Sequence, residues 1–145
     1  RPLGLPISIA VSDFDMLSAV ARIEPWMQEF IETFLPGPVT IIFVAKGVVP
    51  DILTGGTGMI GIRMPAHETA LQIIEQFDAP ITATSANLHG AKDPQIPDEC
   101  TVPRELFIDG GRLSGMPSTV VDLKNKKILR KGAQAEAVEA FLAKF

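Results

Sequence analysis

One seven-residue run, residues 39–45 (VTIIFVA), constrains the fold more than any other segment of the chain. The run is mainly apolar and rich in β-branched side chains, and Pro36, Gly37 and Pro38 end the segment before it. It is far shorter than the roughly 20 residues of a membrane-spanning helix, and it is typical of a strand that is buried in a sheet. We therefore expect a sheet with this strand in its interior.

Helical and strand patterns alternate around this run. Apolar residues that alternate with polar ones predict strands, and spacings of three and four residues predict helices. The predicted strands are residues 7–11, 39–45, 60–64, 80–84, 106–108, 119–123 and 127–130, and the predicted helices begin at Asp13 and Pro25 and span residues 67–77 and 135–145. This order indicates an α/β or α+β fold with a mixed sheet, and it disfavours a doubly wound parallel sheet.

Composition limits the class of protein further. The 145 residues carry 13 Lys and Arg against 17 Asp and Glu, with a formal net charge of −4 and a hydrophobic fraction of 46%. A uniformly basic nucleic-acid binder and a disordered chain are therefore excluded, and one domain with its own core is expected. A single cysteine, Cys100, excludes a disulfide framework, so we expect a cytoplasmic protein. Because the chain starts at Arg1, we expect it to be a fragment.

Several common functional motifs are incomplete, absent or followed by the wrong secondary-structure pattern. Residues 56–61 match G-x-G-x-x-G, but a strand pattern follows where the dinucleotide fingerprint requires a helix. His67 and Glu68 begin like a zinc motif, but Leu71 stands where the second His would be. Neither a P-loop nor a G-x-S-x-G elbow occurs. A glycine turn is the better interpretation of residues 56–61, and no metal site is predicted.

Two polar segments in the middle of the chain are candidates for ligand binding. Arg63 ends a predicted strand just before Pro65 and can present its guanidinium to a carboxylate or phosphate, although an ordinary ion pair is the commoner explanation. Residues 82–87 (TATSAN) leave a strand with small and hydroxyl side chains, which let a ligand approach the backbone. A helix cap or a hydrogen-bonded turn explains this second segment equally well.

Two later segments are further candidates. Residues 108–112 and 117–122 combine a double glycine with a Ser-Thr strand entrance, which fits close approach to a small ligand, while turn geometry alone also explains the glycines. Five basic residues within eight positions form either a local patch for phosphate or a solvated hairpin, at even odds. They are Lys124, Lys126, Lys127, Arg130 and Lys131.

In this order, these segments resemble the YrdC-like family, whose enzymatic members are threonylcarbamoyl-AMP synthases. The matching segments are residues 1–2 (RP), 34–40 (FLPGPVT), 62–65 (IRMP), 84–87 (TSAN) with Gly90, 118–122 (STVVD) and 129–130 (LR) with Gly132. The resemblance implies a twisted mixed sheet with flanking helices and a concave ligand face. It also implies that residues 1–145 form a YrdC-like domain that lacks the N-terminal part of the family domain.

The function that the resemblance implies is that of an L-threonylcarbamoyladenylate synthase, a nucleotidyltransferase. Such an enzyme joins L-threonine, bicarbonate and ATP, with Mg²⁺, into threonylcarbamoyl-AMP and pyrophosphate. The product serves N6-threonylcarbamoyladenosine synthesis at position 37 of tRNA, through a downstream threonylcarbamoyl-transfer complex. The family also suggests two alternatives: a module that binds double-stranded RNA or tRNA, and a carbamoyl-transfer domain of a hydrogenase maturation protein. No membrane partner is expected.

The resemblance assigns roles residue by residue. It implies ATP contacts for Arg1, Ser85, Asn87 and Arg130, and threonine contacts for Arg63, Ala83 (through its backbone) and Ser118. No catalytic side chain is assigned, because positioning and charge stabilisation carry most of this chemistry. The chain departs from the family pattern at three positions. Leu5 and Met59 stand where members often have Asn and Thr, and Ala10 stands where some members have His. Because of these departures and the missing N-terminal segment, we expect the chain alone to be inactive.

Overall fold

A computed structural model describes residues 4–144 of the chain. The strands are β1 (Ser8–Ala10), β2 (Ala21–Arg22), β3 (Val39–Ala45), β4 (Met59–Arg63), β5 (Ile81–Ala83), β6 (Thr119–Asp122) and β7 (Lys127–Arg130). The helices are α1 (Phe14–Val20), α2 (Gln28–Phe34), α3 (Asp51–Thr54), α4 (Glu68–Phe77) and α5 (Ala135–Leu142), with short 3₁₀ turns at Pro25–Met27 and Pro97–Glu99. No helix in this part of the chain is long and apolar enough to span a bilayer.

The seven strands form one mixed sheet in the order β5–β1–β4–β3–β6–β7, and β2 pairs with β3 outside this path. The strand predicted from the apolar run, β3, lies inside the sheet, antiparallel to β4 and parallel to β6. β1 is parallel to β4, whereas the β1–β5 and β6–β7 pairs are antiparallel. The predicted α/β fold with a mixed sheet is therefore confirmed.

Side chains point alternately to the two faces of each strand, and this alternation divides the sheet into an apolar and a polar face. On the apolar face, Ile9, Ile41, Ile62 and Val121 belong to one buried cluster with residues of α1, α2 and α5. Phe141 of α5 completes this core by packing edge-on against two rings of α2. The ring centroids of Phe30 and Phe34 lie 5.3 and 5.7 Å from that of Phe141.

Local chemistry explains several boundaries. Asp13 caps α1, because its carboxylate accepts a hydrogen bond from the Met16 N–H at 2.6 Å. After α2, the Leu35–Pro36 peptide is cis, and the Gly37 N–H donates to the Met64 carbonyl at 2.8 Å. The start of β3 is thereby held beside the end of β4, where Arg63 lies.

The strand predicted at residues 106–108 is wrong. The structure has no strand there, and Leu106 and Ile108 are 77% and 53% exposed. An apolar run becomes a strand only when a sheet edge offers hydrogen-bond partners. None of the described strands pairs with these residues.

The prediction for α4 is correct in extent and partly wrong in orientation. The apolar spacing within residues 67–77 predicts that Ile73, Ile74 and Phe77 face inward. Ile74 is buried, but Ile73 and Phe77 are 41% and 65% exposed. Ile74 approaches the β1–β5 end of the sheet, because it lines a cavity there with Ala10 and Ile81. Because α4 packs only against this end of the sheet, the side of the helix that carries Ile73 and Phe77 stays exposed to solvent.

The last helix is present as predicted but ends at Leu142, because Ala143 and Lys144 form a turn. Val138 and Phe141 of α5 are buried, and Leu142 packs against the core from a partly buried position. The apolar pattern of residues 135–145 predicts that Phe145 also faces the core, and Phe145 lies outside the described residues.

Candidate ligand-binding site

The polar face of the sheet carries a cleft of about 610 Å³. Its floor comes from four strands, through Ser8, Thr40, Arg63 and Val120. Its walls come from the chain after β5 and from residues 113–118 before β6. The volume lies within the range of about 300–1,000 Å³ that is usual for small-molecule sites. The concave ligand face expected from the resemblance is present.

Strand register and one glycine keep the floor of the cleft open. Ser8 pairs with Ala83 across β1 and β5, and Thr40 pairs with Val120 across β3 and β6. A Cβ atom at Gly61, in β4 between them, would lie 2.7 Å from the Ser8 Oγ and 3.3 Å from the Thr40 Cγ2. A larger residue at Gly61 would therefore displace the two hydroxyl-bearing side chains.

A hydrogen-bond network fixes Arg130 against the floor. The hydroxyl oxygens of Thr40 and Ser118 lie 2.8 Å apart in a buried hydrogen bond. Arg130 donates from Nη2 to the Ser118 Oγ at 3.0 Å, and from Nη2 and Nε to the Ser118 carbonyl at 2.9 and 3.1 Å. The guanidinium is therefore held in one orientation beside the cleft, with Nη1 unused by the residues that the structure describes.

Arg63 is the second cation of the cleft, and its situation is different. Its Nε is buried and has no hydrogen-bond partner among the described residues. None of the carboxylates of the described residues forms an ion pair with Arg63. The ordinary ion pair, which the sequence alone favoured, is therefore wrong. Burial, followed by the positive charge of Arg130, lowers the pKa of the Arg63 guanidinium. Arginine keeps its charge even so, and two cations that no carboxylate within residues 4–144 neutralises favour an anionic ligand at this cleft.

The loop after β5 contributes backbone and small side chains to the wall. Ala83 and Ser85 line the cleft, as does Asp93 at the far end of the loop. Asn87 does not line it, because its Nδ2 donates to the Ala91 carbonyl at 2.6 Å and to the Asp93 Oδ1 at 2.8 Å. Asn87 thus holds the loop closed, which is the turn-type role that the sequence left open.

Five of the seven residues assigned by resemblance therefore line one cleft. They are Arg63, Ala83, Ser85, Ser118 and Arg130. Asn87 lies behind the wall, and Arg1 lies outside the described residues. The assignment overlooked Thr40 and Ser8, although Thr40 had a signal: it is the one hydroxyl residue in the apolar run of residues 39–45.

The basic residues near β7 do not form one patch. Arg130 turns into the cleft, whereas Lys131 pairs with Glu139 of α5, whose hydrogen bond and charge raise the pKa of Lys131. Lys126, in the hairpin turn at the other end of the strands, lies 6.0 Å from the ring centre of Trp26. Of the two interpretations that the sequence left open, the solvated hairpin therefore describes these lysines better than one phosphate-binding patch that includes Arg130.

A metal ion has few protein ligands here. No group of three or more His, Cys, Asp or Glu residues that could hold a metal occurs within residues 4–144. Asp93 is the carboxylate that lines the cleft. Because Mg²⁺ in nucleotide sites is commonly held by one or two carboxylates and the substrate phosphates, this donor set fits an ion that arrives with a nucleotide.

Comparison with known proteins agrees with this geometry. A family model described as "Sua5_yciO_yrdC: Telomere recombination" matches residues 1–132. The chain belongs to this family. The resemblance inferred from the ordered motifs is therefore confirmed, and it extends over nearly the whole chain.

Two similar proteins are named threonylcarbamoyl-AMP synthase or putative threonylcarbamoyl-AMP synthase. The chain is 38% identical to the threonylcarbamoyl-AMP synthase of Pyrococcus abyssi over 129 residues, which is 85% of this chain and 38% of that protein. It is 34% identical to a putative threonylcarbamoyl-AMP synthase of Methanocaldococcus jannaschii over 136 residues, covering 89% of this chain and 62% of that protein. The chain thus spans less than two thirds of the length of these two relatives.

A solved structure supports the fold. The crystal structure of P. abyssi Sua5 complexed with L-threonine matches with a TM-score of 0.86 and 36% identity. The match covers 95% of this chain and 44% of that one. The family fold is therefore shared over nearly all of the described residues.

Proposed function

We propose that this domain is part of an L-threonylcarbamoyladenylate synthase, which forms threonylcarbamoyl-AMP from L-threonine, bicarbonate and ATP. The observation that carries the proposal is the pair Arg63 and Arg130 at one cleft, because neither guanidinium is neutralised by a carboxylate of the described residues. The ligands of this reaction supply the missing charge, as an amino-acid carboxylate and nucleotide phosphates. Similarity to a Sua5 that binds L-threonine supports the same choice.

The two cations suit different parts of the substrates. Arg63 lies on the floor of the cleft and its Nε has no hydrogen-bond partner among the described residues, so we assign it to the carboxylate of threonine. Arg130 has used Nε and Nη2 on Ser118 and retains Nη1, so we assign it to the nucleotide phosphates. Ser85 and Ala83 line the same cleft, and we assign the Ser85 hydroxyl and the Ala83 backbone to oxygens of either substrate.

The proposed reaction needs no side chain that forms a covalent bond or transfers a proton. The amine of threonine attacks the carbon of bicarbonate and water leaves, which produces a carbamate. A carbamate oxygen then attacks the α-phosphorus of ATP, and the bond to the pyrophosphate oxygen breaks. The protein positions the two reactants and offsets the charge that develops on the phosphate oxygens. Mg²⁺, carried by the phosphates with Asp93 as its protein ligand, would add to this charge stabilisation when bound.

The wider role follows from the product. Threonylcarbamoyl-AMP is a mixed anhydride that needs an acceptor, and we propose N6-threonylcarbamoyladenosine at position 37 of tRNA as its destination, by a downstream transfer complex in the cytoplasm. The predicted ATP contact of Arg1 remains part of the proposal. Asn87 is reassigned from ATP contact to holding the loop that carries Ser85.

The test is pyrophosphate release by the full-length protein. We expect release from ATP only when threonine and bicarbonate are both present, together with an adenylate that hydrolyses to AMP. Arg130→Met should raise the KM for ATP about tenfold or more, because a charge-assisted contact to phosphate is lost. Arg22→Met, in an exposed position of β2, is the matched control. Release that is independent of threonine would contradict the proposal.

A further inference from the structure

Two buried hydroxyl groups lie between the two arginines of the cleft. The neighbouring strands β4, β3, β6 and β7 carry these side chains in the order Arg63, Thr40, Ser118 and Arg130, with Ser118 directly before the first residue of β6. The antiparallel register of β3 and β4 places Thr40 opposite Arg63. Thr40 and Ser118 are 3% and 6% exposed, and both line the cleft. The pair therefore forms the part of the floor that separates the two cations.

The hydrogen bonds of this pair leave one hydroxyl hydrogen over. Each hydroxyl has one hydrogen to donate and two lone pairs that accept. The 2.8 Å bond between Thr40 and Ser118 uses one of these hydrogens, and the 3.0 Å bond from Arg130 to the Ser118 Oγ uses a hydrogen of the guanidinium. Neither hydroxyl has a further partner within residues 4–144. One buried donor therefore remains for a ligand in the cleft.

We infer that Thr40 is a positioning residue: it donates to the Ser118 Oγ and thereby turns the Ser118 hydroxyl hydrogen into the cleft. In this direction both lone pairs of the Ser118 Oγ are occupied, one by Thr40 and one by Arg130. A positive group on an oxygen also polarises the O–H of that oxygen, and hydrogen bonds in a chain strengthen one another. Ser118 is therefore the stronger donor of the two hydroxyls, and an anionic ligand takes the stronger donor.

The inference rests on the proposed function, which assigns Arg63 to the threonine carboxylate and Arg130 to the nucleotide phosphates. The atoms between these two anionic groups are those of the carbamate and the α-phosphate. Negative charge moves from the carbamate oxygen toward the phosphate oxygens as the new bond forms. A hydrogen-bond donor aimed at this place stabilises the transition state more than the separate substrates. Thr40 acts on this charge through Ser118.

The backbone around the pair is fixed independently of the two hydroxyls. Thr40 lies inside the hydrogen-bonded ladder of β3 and β6. The Thr119 N–H donates to the Pro38 carbonyl at 3.1 Å, and the Thr119 Oγ1 donates to the Ala133 carbonyl at 2.7 Å. Removal of the Thr40 hydroxyl should therefore change the orientation of the Ser118 O–H and leave the strands in place.

The first test is steady-state kinetics of pyrophosphate release by the full-length protein. Thr40→Val removes the donor and keeps the shape, so we expect kcat to fall about tenfold, while the KM values for ATP and threonine change less than about threefold. The melting temperature should not fall. Thr40→Ser keeps the donor and should retain kcat within about twofold. Thr33→Val is the control at an exposed position of α2, where the hydroxyl donates to the Glu29 carbonyl, and it should change none of these quantities.

Two results of these kinetics would overturn the inference. One is a normal kcat in Thr40→Val, with or without a higher KM. The other is a loss in Thr40→Ser as large as that in Thr40→Val, because the packing of the methyl group would then be the cause. If Thr40→Val does not fold, Thr40→Ala takes its place with the same expected fall in kcat.

A double-mutant cycle with Ser118→Ala tests whether Thr40 acts through Ser118. In the Ser118→Ala background, Thr40→Val should lower kcat by less than about twofold, because the group that Thr40 orients is already absent. A further tenfold loss in that background would overturn the positioning role.

The outcomes separate this inference from the proposed function. Threonine-dependent pyrophosphate release that Thr40→Val leaves unchanged would overturn the inference alone. A wild-type protein that releases no pyrophosphate with threonine and bicarbonate would overturn the proposed function, and the inference with it.

Discussion

Arg63 shows how one residue serves binding at the expense of folding. Its guanidinium is partly buried, its Nε has no hydrogen-bond partner among the described residues, and its pKa is lowered by burial and by Arg130. A buried charge without a partner destabilises a fold by the desolvation of that charge. The arrangement is favourable only when an anion occupies the cleft.

We predict that Arg63→Met separates these two effects. Removal of the unpartnered charge should leave the melting temperature of the unliganded full-length protein unchanged or raise it. Amino-acid affinity should fall about 10- to 100-fold, because a charge-assisted hydrogen bond to the carboxylate is lost. Differential scanning fluorimetry and calorimetric titration measure the two quantities. Arg22→Met is the control, and a variant of Arg63 that is less stable but binds normally would contradict this account.

At the scale of elements, the site depends on how closely the segment after β7 packs against the start of β6. The Ala133 N–H donates to the Pro117 carbonyl at 2.9 Å, and the Gly132 N–H donates to the Thr119 Oγ1 at 3.0 Å. A Cβ atom at Gly132 would lie 2.2 Å from the Pro117 carbonyl oxygen and 2.7 Å from that of Ser118. The backbone that holds Arg130 therefore has no room for a side chain at Gly132.

Gly132→Ala should accordingly lower the free energy of unfolding by about 1–3 kcal/mol, as overpacking does. It should also weaken ATP binding, because the displaced Ser118 carbonyl accepts from Arg130. Gly47→Ala is the matched control, since a Cβ there meets no atom within 4 Å, and it should change the free energy of unfolding by less than about 1 kcal/mol. Urea denaturation measures the free energy of unfolding of both variants. Equal losses for Gly132→Ala and Gly47→Ala would rule out the close packing at Gly132.

The packing of α5 on α2 gives a second prediction at this scale. Phe141→Ala should cost about 3–5 kcal/mol of unfolding free energy, because the buried ring contacts Phe30 and Phe34. Phe77→Ala removes the same ring from a position that is 65% exposed and should cost less than about 0.5 kcal/mol. Chemical denaturation of the two variants compares them directly. A small loss for Phe141→Ala would mean that α5 is not part of the core.

At the scale of the whole molecule, charge is distributed unevenly. The chain has a formal net charge of −4, yet the cleft holds Arg63 and Arg130. The other basic residues of the β6–β7 region are dispersed, with Lys131 engaged by Glu139 and Lys126 beside Trp26. This distribution favours small anions in the cleft over a long polyanion across the surface.

We therefore predict weak, non-specific binding to duplex RNA. Three lysines in the hairpin, Lys124, Lys126 and Lys127, give a salt slope of about −2.7, so affinity should fall only about 40-fold between 50 and 200 mM salt. Fluorescence anisotropy measures this slope, and Lys124→Glu with Lys127→Glu should remove the binding without changing pyrophosphate release. Tight binding with a much steeper slope would favour the RNA-binding alternative.

The sequence by itself determined the features that depend on near neighbours in the chain. The apolar run of residues 39–45 predicted β3, Asp13 predicted the start of α1, and the strand pattern of residues 127–130 predicted β7. Periodicity, caps and turn residues act over a few positions, so they are visible without a fold. The ordered motifs determined the family in the same way, as a series of short segments.

Only the tertiary structure decided which residues meet and what remains unpaired. Thr40 and Ser118 are 78 positions apart and share a hydrogen bond because β3 and β6 are parallel neighbours in one register. The unpartnered Arg63 and the apolar cavity beneath α4 arise where elements distant in sequence pack together. Residues 106–108 carry a strand pattern but find no strand partner. Such outcomes depend on register and packing across the whole sheet, which no local pattern contains.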